Sequence, residues 1–332
     1  MSSRKDVAEA AGVSVRTVSN VVNGFKHVAP ETRERVLAVI KQLDYHPSEL
    51  ARSLKAGRSG LVGLMLPSLD VPYFAEITRA IVEQGARHGL TVVIDETTGD
   101  RARELAWIER ASHRSLFDGL ILSPLALTSE DLEALPHDLP VIFLGEDRYP
   151  GFDQVTVDGC AAARDAVTHL AGAGRHRIAA IGAEPTSHGT STERLEGYLS
   201  GLAEAGLDRD DALCGYVTAF TRGEGHRAMA DLLDRGVRVD AAFCFSDALA
   251  LGALRALHEH GVRVPDDVAL VGFDDIEDGR YSIPSLSTIR PDKRWLARTA
   301  FDRLVRRLSG ESPAPEVVLA PYDLVVRESS PV

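Results

Sequence analysis

The stretch DVAEAAGVSVRTVSNVVNG, residues 6–24, decides how the N-terminal end of this chain folds. Small apolar residues recur at helical spacing on both sides of Gly12, a pattern that favours two short helices joined by a turn. A glycine there supplies the left-handed backbone that ends a helix, and Ser14 is a good N-cap for the next one. The inner apolar side chains are Val7, Ala8, Ala11, Val18, Val21 and Val22. The pattern predicts a helix-turn-helix, whose second helix enters the major groove of DNA.

A third helix is predicted from Pro30, because proline suits the first helical position. Its apolar stripe is expected to contain Val36, Leu37, Ile40 and Leu43. The three helices form a compact unit that we place at residues 1–46. From spacing alone, a small helical bundle without any DNA contact stays open as an alternative, since such patterns have false positives.

Charge is unevenly distributed along the 332 residues, whose net charge is −12. Residues 1–58 carry ten Lys/Arg against six Asp/Glu, a balance of +4, and the remainder carries −16. A basic N-terminal segment followed by an acidic remainder indicates that only residues 1–58 approach a polyanion such as DNA. The length itself favours two or three domains.

Several classes of protein are disfavoured by composition. No apolar run approaches the ~18 residues that cross a bilayer, and no apolar stretch follows the N-terminal basic residues as in a secretory signal. Cys160, Cys214 and Cys244 are widely separated and odd in number, which argues against disulfides or a zinc site. We therefore expect a cytoplasmic protein with no metal and no cofactor.

From Leu61 onward, short apolar stretches such as LVGLMLP and VALVGFDD alternate with helical patterns. This alternation predicts two α/β lobes, each with a parallel sheet covered on both faces. Ligands of such sheets bind beyond the C-terminal ends of the strands. The polar and aromatic residues that follow predicted strands are Ser68, Asp70, Tyr73, Phe74, Ser123, Glu146, Ser246, Asp247, Asp274 and Asp275.

Two other functional classes are weighed against DNA binding. An enzyme is disfavoured because the glycines of GAGRHRIAAIG precede the strand, whereas a dinucleotide fingerprint follows it. The sequence has no G-x-S-x-G, no P-loop and no metal-spaced histidine pair. A solute-binding protein for nutrient uptake would explain the body alone, but it would need an export signal.

Long motifs in this chain resemble the lactose/galactose repressor family of bacterial transcriptional regulators. They include residues 6–24, then VAPETRERVLAVIKQLDYHPSELARSLKAGRSGLVGLMLPSLDVPYF and GFDDIEDGRYSIPSLSTIRP, and the resemblance covers essentially the whole chain. It implies a three-helix helix-turn-helix DNA-binding domain and a hinge helix at residues 47–58. Two doubly wound α/β lobes like those of periplasmic sugar-binding proteins follow. The expected lobes are 59–159 with 291–319, and 160–290 with 320–332.

The resemblance also implies which residues contact operator DNA. Val15 and Arg16 open the recognition helix and are expected to choose bases, while Thr17, Ser19 and Asn23 contact phosphates. Many relatives carry arginine where this chain has Asn20, so its base preference should differ there. In the hinge, Ala51 approaches the minor groove and Leu54 is the wedge that parts a base step.

In the body, the resemblance implies a small-molecule effector, most simply a sugar, and a homodimer. Family positions that touch effectors fall on Tyr73, Phe74, Arg194, Phe220, Ser246 and Asp274. Leu251 lies on a helix that joins protomers in the family, although its spacing equally fits a core position. The chain departs from many sugar-responsive relatives at Ser246, where they carry asparagine, and at Gly145, where they carry an acid. We expect a dimeric repressor of a near-palindromic operator.

Overall fold

The structure is a computed structural model, and its residues fall into two compact units, Met1–Gly60 and Leu61–Val332. The residues that it describes are 3–22, 25, 27–45, 59–112, 116–136, 138–184, 189–311 and 313–331. Among the helices within these ranges, none combines the length and hydropathy that crossing a bilayer requires.

The smaller unit contains three helices around a small apolar core. The helices are α1 (Arg4–Ala11), α2 (Val15–Val22) and α3 (Pro30–Gln42). The buried core residues are Val7, Ala8, Ala11, Val18, Val21, Val36 and Tyr45. The predicted helix-turn-helix is therefore present, but the expectation that Leu37 is buried is wrong, since 49% of it is exposed. Leu37 lies about 100° around the helix from Val36, outside the stripe that packs on α1.

The larger unit begins with a six-stranded sheet. Its strands are β1 (Leu61–Leu66), β2 (Thr91–Glu96), β3 (Gly119–Leu122), β4 (Val141–Leu144), β5 (Asp153–Val157) and β11 (Val317–Ala320). The order is β11-β5-β4-β3-β1-β2, and every pair is parallel. The helices that pack on it are α4 (Pro72–Arg87), α5 (Arg101–Ser112) and α11 (Lys293–Leu308). Leu64 packs with Ile77 on one face, and Met65 packs with Trp107 on the other, so both faces are covered.

A second six-stranded sheet follows. Its strands are β6 (Ile178–Ala183), β7 (Cys214–Tyr216), β8 (Ala241–Cys244), β9 (Ala269–Phe273), β10 (Ser287–Pro291) and β12 (Tyr322–Val325). The order is β12-β10-β9-β8-β6-β7, parallel except for β10 with β12. The helices of this part are α6 (Gly159–Gly172), α7 (Thr190–Glu204), α8 (Arg222–Asp234), α9 (Asp247–Glu259) and α10 (Glu277–Arg280). Short 3₁₀ turns occur at Glu130–Ala134 and Asp211–Leu213.

The chain crosses between the two sheets three times. It leaves the first sheet after β5, returns through Asp292 into α11, and leaves again at Pro321 between β11 and β12. The predicted fold, a helix-turn-helix followed by two doubly wound α/β lobes, is confirmed. Arg194 contacts groups at the C-terminal ends of strands from both sheets: the Glu146 side chain after β4, the Phe245 carbonyl after β8 and the Phe273 ring at the end of β9. The C-terminal edges of the two sheets therefore face each other across one cleft.

Candidate functional site

The exposed turn of the helix-turn-helix is built by local caps. Gly12 ends α1 with φ +63°, and the Ser14 hydroxyl accepts a hydrogen bond from the Thr17 amide at 3.1 Å. This cap fixes the start of α2. At that start Arg16 is exposed, and Val15 exposes 46% of its surface, so both are free to approach a groove.

The other predicted DNA contacts are less open. The Thr17 hydroxyl lies 2.9 Å from that of Ser14, and Ser19 and Asn20 are half-buried. Asn23, Ala51 and Leu54, with the whole predicted hinge at 47–58, lie outside the described residues.

Arg194 is the centre of the cleft in the larger unit. Its guanidinium stacks on the ring of Phe273 at 3.5 Å from the ring centre and donates to the backbone carbonyl of Phe245. A second nitrogen, Nη2, donates to Oε1 of Glu146 at 3.0 Å. Glu146 follows β4 in the first sheet, whereas both phenylalanines end strands or follow them in the second. Arg194 therefore bridges the two sheets.

Asp274 and Tyr73 lie beside this arginine. Burial raises the pKa of Asp274 to about 7, although the cations of Arg194 and Lys293 act to lower it. Burial also raises the pKa of the Tyr73 phenol, assisted by the negative charges of Asp274 and Glu146. These charge interactions place Tyr73, Arg194 and Asp274, three of the predicted effector residues, near one another.

Asp274 also has an unusual backbone. Its φ of +118° is rare for a residue with a side chain. The Lys293 ammonium donates to the backbone carbonyls of Asp274 at 2.7 Å and Asp275 at 3.2 Å, which supports this conformation. Backbone strain of this kind concentrates at ligand sites and switch regions.

The remaining predicted effector residues have other visible roles. The Ser246 hydroxyl caps α9 by accepting from the Leu249 amide at 3.2 Å. Phe74 contacts Tyr73 edge-on with ring centres 5.2 Å apart, and Phe220 is half-buried against the core. The effector roles of these three residues stay predictions.

Two acids after strand ends are structural. Asp247 accepts from the Thr288 hydroxyl at 2.6 Å and from the Ile276 amide at 2.9 Å. For Asp275, burial acts to raise the pKa, but hydrogen bonds from Arg327 and Arg280 outweigh it and lower the pKa. Both carboxylates thus tie the second sheet together.

Sequence reasoning missed the partners of Arg194. Glu146 stood among the polar residues after strands but received no role, and Phe273 was not singled out. Glu193, whose carboxyl group lies near that of Glu146, was not singled out either. Burial and the charge of Glu146 raise the pKa of Glu193 to about 7, against the opposing charge of Arg148 at 3.7 Å. Among the described residues, no cluster of three or more potential ligands is suited to a metal ion.

The geometry so far defines a class: an N-terminal helix-turn-helix followed by a two-lobed body with a polar cleft is a DNA-binding transcriptional regulator. Family models agree. Residues 4–48 match the bacterial regulatory proteins of the lacI family, and residues 167–330 match the periplasmic binding protein-like domain.

Known relatives cover nearly the entire chain. The HTH-type transcriptional repressor PurR of Mannheimia succiniciproducens is 33% identical over 332 residues, 99% of this chain and 98% of the relative. The lac repressor dimer bound to operator and the anti-inducer ONPF is 32% identical, with a TM-score of 0.85 and 99% of each chain covered. The transcriptional regulator CelR in complex with cellobiose is 31% identical, with a TM-score of 0.75, covering 99% of this chain and 100% of that one. The chain belongs to the lacI family of bacterial regulatory proteins, and it is a DNA-binding transcriptional regulator.

Proposed function

We propose that this protein is a homodimeric repressor that binds a near-palindromic operator. Its affinity for that operator is controlled by an uncharged, sugar-like effector bound in the cleft. The observation that carries the effector half of this proposal is Arg194, a buried guanidinium held between the two sheets by Glu146 and Phe273. A buried arginine next to carboxylates and an aromatic face is suited to hydroxyl groups on a sugar ring.

At the DNA, Arg16 is proposed to donate two hydrogen bonds to a guanine, with Val15 beside it against base edges. Their exposure at the start of α2 supports these roles. Thr17, Ser19 and Asn23 are proposed to contact phosphates of the DNA, and Asn20 is proposed to affect the base preference. In the hinge, Ala51 and Leu54 are proposed for the minor groove, as the family resemblance implies.

In the cleft, the proposed effector contacts are Tyr73, Phe74, Arg194, Phe220, Ser246 and Asp274. A structural relative solved in complex with cellobiose supports a sugar-like ligand for this class of cleft. We propose that effector binding changes the closure of the two lobes and thereby the spacing of the two hinge segments. Such coupling is reciprocal and typically amounts to ~1–3 kcal/mol.

The dimer is proposed to form along one side of the larger unit. Leu251 is only half-buried, and β2 lies at the edge of its sheet with Val93 and Ile94 each 39% exposed. Tyr281 and Ile283 add apolar side chains that are 78% and 94% exposed. Exposed apolar groups of this extent favour association. The relative that was solved as a dimer on its operator supports the same assembly.

We further propose a non-catalytic protein that acts in the cytoplasm. Relatives over the whole length are named as transcriptional repressors rather than as enzymes.

The proposed function is tested by selecting an operator from random DNA duplexes with the full chain. The dissociation constant of the protein–operator complex is then measured by fluorescence anisotropy, with and without cellobiose, glucose, ribose or hypoxanthine. The proposal predicts a specific duplex bound by two protomers and at least one compound that changes the affinity. Failure to select any sequence would contradict the operator-binding proposal.

A further inference from the structure

Glu146 meets Arg194 from the opposite sheet, and the pair is deeply buried. The carboxylate side chain is 5% exposed and the guanidinium side chain 9%, with 3.0 Å between Oε1 and Nη2. Glu146 is placed by the chain just after β4, where Gly145 has φ +114° and the Gln154 amide donates to the Gly145 carbonyl at 2.5 Å. The loop is therefore fixed, and the cleft contains its own counter-ion for Arg194.

The pair is incomplete. Among the described residues, Oε2 of Glu146 and Nε of Arg194 are buried but have no hydrogen-bond partner. One is an acceptor and the other a donor. A hydroxyl group satisfies both kinds of atom, because it donates to a carboxylate and accepts from a guanidinium. A phosphate or carboxylate only accepts from the arginine, and it meets a negative charge at Glu146.

The surrounding groups add further negative charge. The pKa values of Asp274 and Glu193 are both raised to about 7, mainly by burial, so their carboxylates ionise as the pH rises past neutrality. Of the nearby cations, Lys293 forms an ion pair with Glu76 at 2.6 Å and Arg148 faces Glu193 at 3.7 Å.

We propose that Glu146 is a specificity-determining residue of the cleft: it neutralises Arg194, so that the cleft selects uncharged hydroxylated ligands and rejects anionic ones such as sugar phosphates. This inference rests on the proposed function only in taking the cleft as the ligand site. It assigns to Glu146 a selective role separate from those of the predicted effector residues.

The test compares the full-length protein with Glu146→Gln, in which the amide oxygen still accepts from Arg194 but carries no charge. Melting temperatures are measured at constant ionic strength with inorganic phosphate, and with glucose against glucose 6-phosphate and ribose against ribose 5-phosphate. We expect the anions to leave the wild-type protein unchanged and to raise the melting temperature of the variant by several degrees. Adding Arg194→Met to the variant should abolish that rise.

A matched control is Asp278→Asn, which frees Arg222 from an exposed ion pair of 3.0 Å outside the cleft. It should show no anion response, because a solvated arginine binds phosphate weakly. Circular dichroism verifies folding, and Glu146→Ser replaces the glutamine variant if that one does not fold. An equal response of the wild-type protein and the Glu146 variant to phosphate would overturn the proposal.

The two proposals fail in different ways. If the Glu146 variant gains an anion response while no neutral compound alters operator affinity of the wild-type protein, the effector class is wrong and the role of Glu146 stands. If a neutral sugar alters operator affinity and the variant gains no anion response, the role of Glu146 is wrong and the regulator stands.

Discussion

Lys293 and Glu76 form an ion pair of 2.6 Å that joins a crossing of the chain between the two sheets to helix α4. The same ammonium donates to the backbone carbonyls of Asp274 and Asp275, at the edge of the second sheet. One side chain, only 12% exposed, thus connects both walls of the cleft. This connection lies beside the strained Asp274 backbone.

Replacing Lys293 with methionine should destabilise the body by about 1–3 kcal/mol, because two carbonyl groups lose a charged donor. Urea unfolding followed by circular dichroism measures the change. The matched control is Arg290→Met, which breaks an exposed ion pair of 2.8 Å with Asp323 and should cost less than about 1 kcal/mol. Equal losses in the two variants would show that Lys293 has no special role.

The raised pKa of Asp274 predicts a pH dependence of stability. A carboxyl whose pKa is about 7 when folded, above its unfolded value, stabilises the fold at low pH. That contribution is lost as the pH rises from about 4 through about 7. The neutral variant Asp274→Asn should therefore gain stability relative to wild type across this range. Urea unfolding at several pH values measures it, and a constant difference between the two proteins would contradict the assignment.

Gly197 sets how closely α7, the helix that carries Arg194, packs on α6. A Cβ atom there would lie 2.2 Å from the Cys160 carbonyl oxygen and 2.7 Å from the Ala163 side chain. Gly197→Ala should therefore force the helices apart and cost about 1–3 kcal/mol. Thermal unfolding measures the loss.

The control for that substitution is Gly172→Ala in α6, where a Cβ atom meets nothing within 4 Å. It should be neutral or stabilise by up to about 1 kcal/mol, since alanine favours helices. A neutral result for both glycines would mean that the α6–α7 contact is looser than described.

Arg16→Ala should weaken binding to the selected operator by about 1–3 kcal/mol and relax the base preference at one position of each half-site. Competition binding against duplexes changed at single positions measures this. Arg306→Ala is the control, because Arg306 is exposed in the larger unit and pairs only with Glu311 at 2.9 Å among described residues. If Arg16→Ala weakens all sequences equally, then Arg16 contacts phosphates.

The fold was predictable because it follows from local patterns. Alternating apolar strands and helices predicted two α/β lobes, and the glycine-centred turn predicted the helix-turn-helix. The error at Leu37 arose because a one-residue shift on a short helix moves a side chain out of the core. Apolar character alone does not show that shift.

The cleft was only partly predictable. Tyr73 and Asp274 follow from their place after predicted strands and from the family resemblance, whereas Arg194, within α7, follows from the resemblance alone. Glu146 and Arg194 are 48 residues apart in sequence, and they meet only because the two sheets face each other. Phe273 belongs to a buried strand, so its sequence context indicates only core packing. Its ring reaches Arg194 because the strand ends at the cleft.

The most direct test of the account measures operator affinity of the wild-type protein and of Arg194→Met by fluorescence anisotropy. Each is titrated with cellobiose, glucose, ribose and hypoxanthine. Each protein is compared with itself in the absence of ligand, and the account predicts that at least one compound changes operator affinity by about 5- to 150-fold in the wild-type protein alone. A compound that shifts the affinity of both proteins equally would contradict the claim that this cleft controls DNA binding.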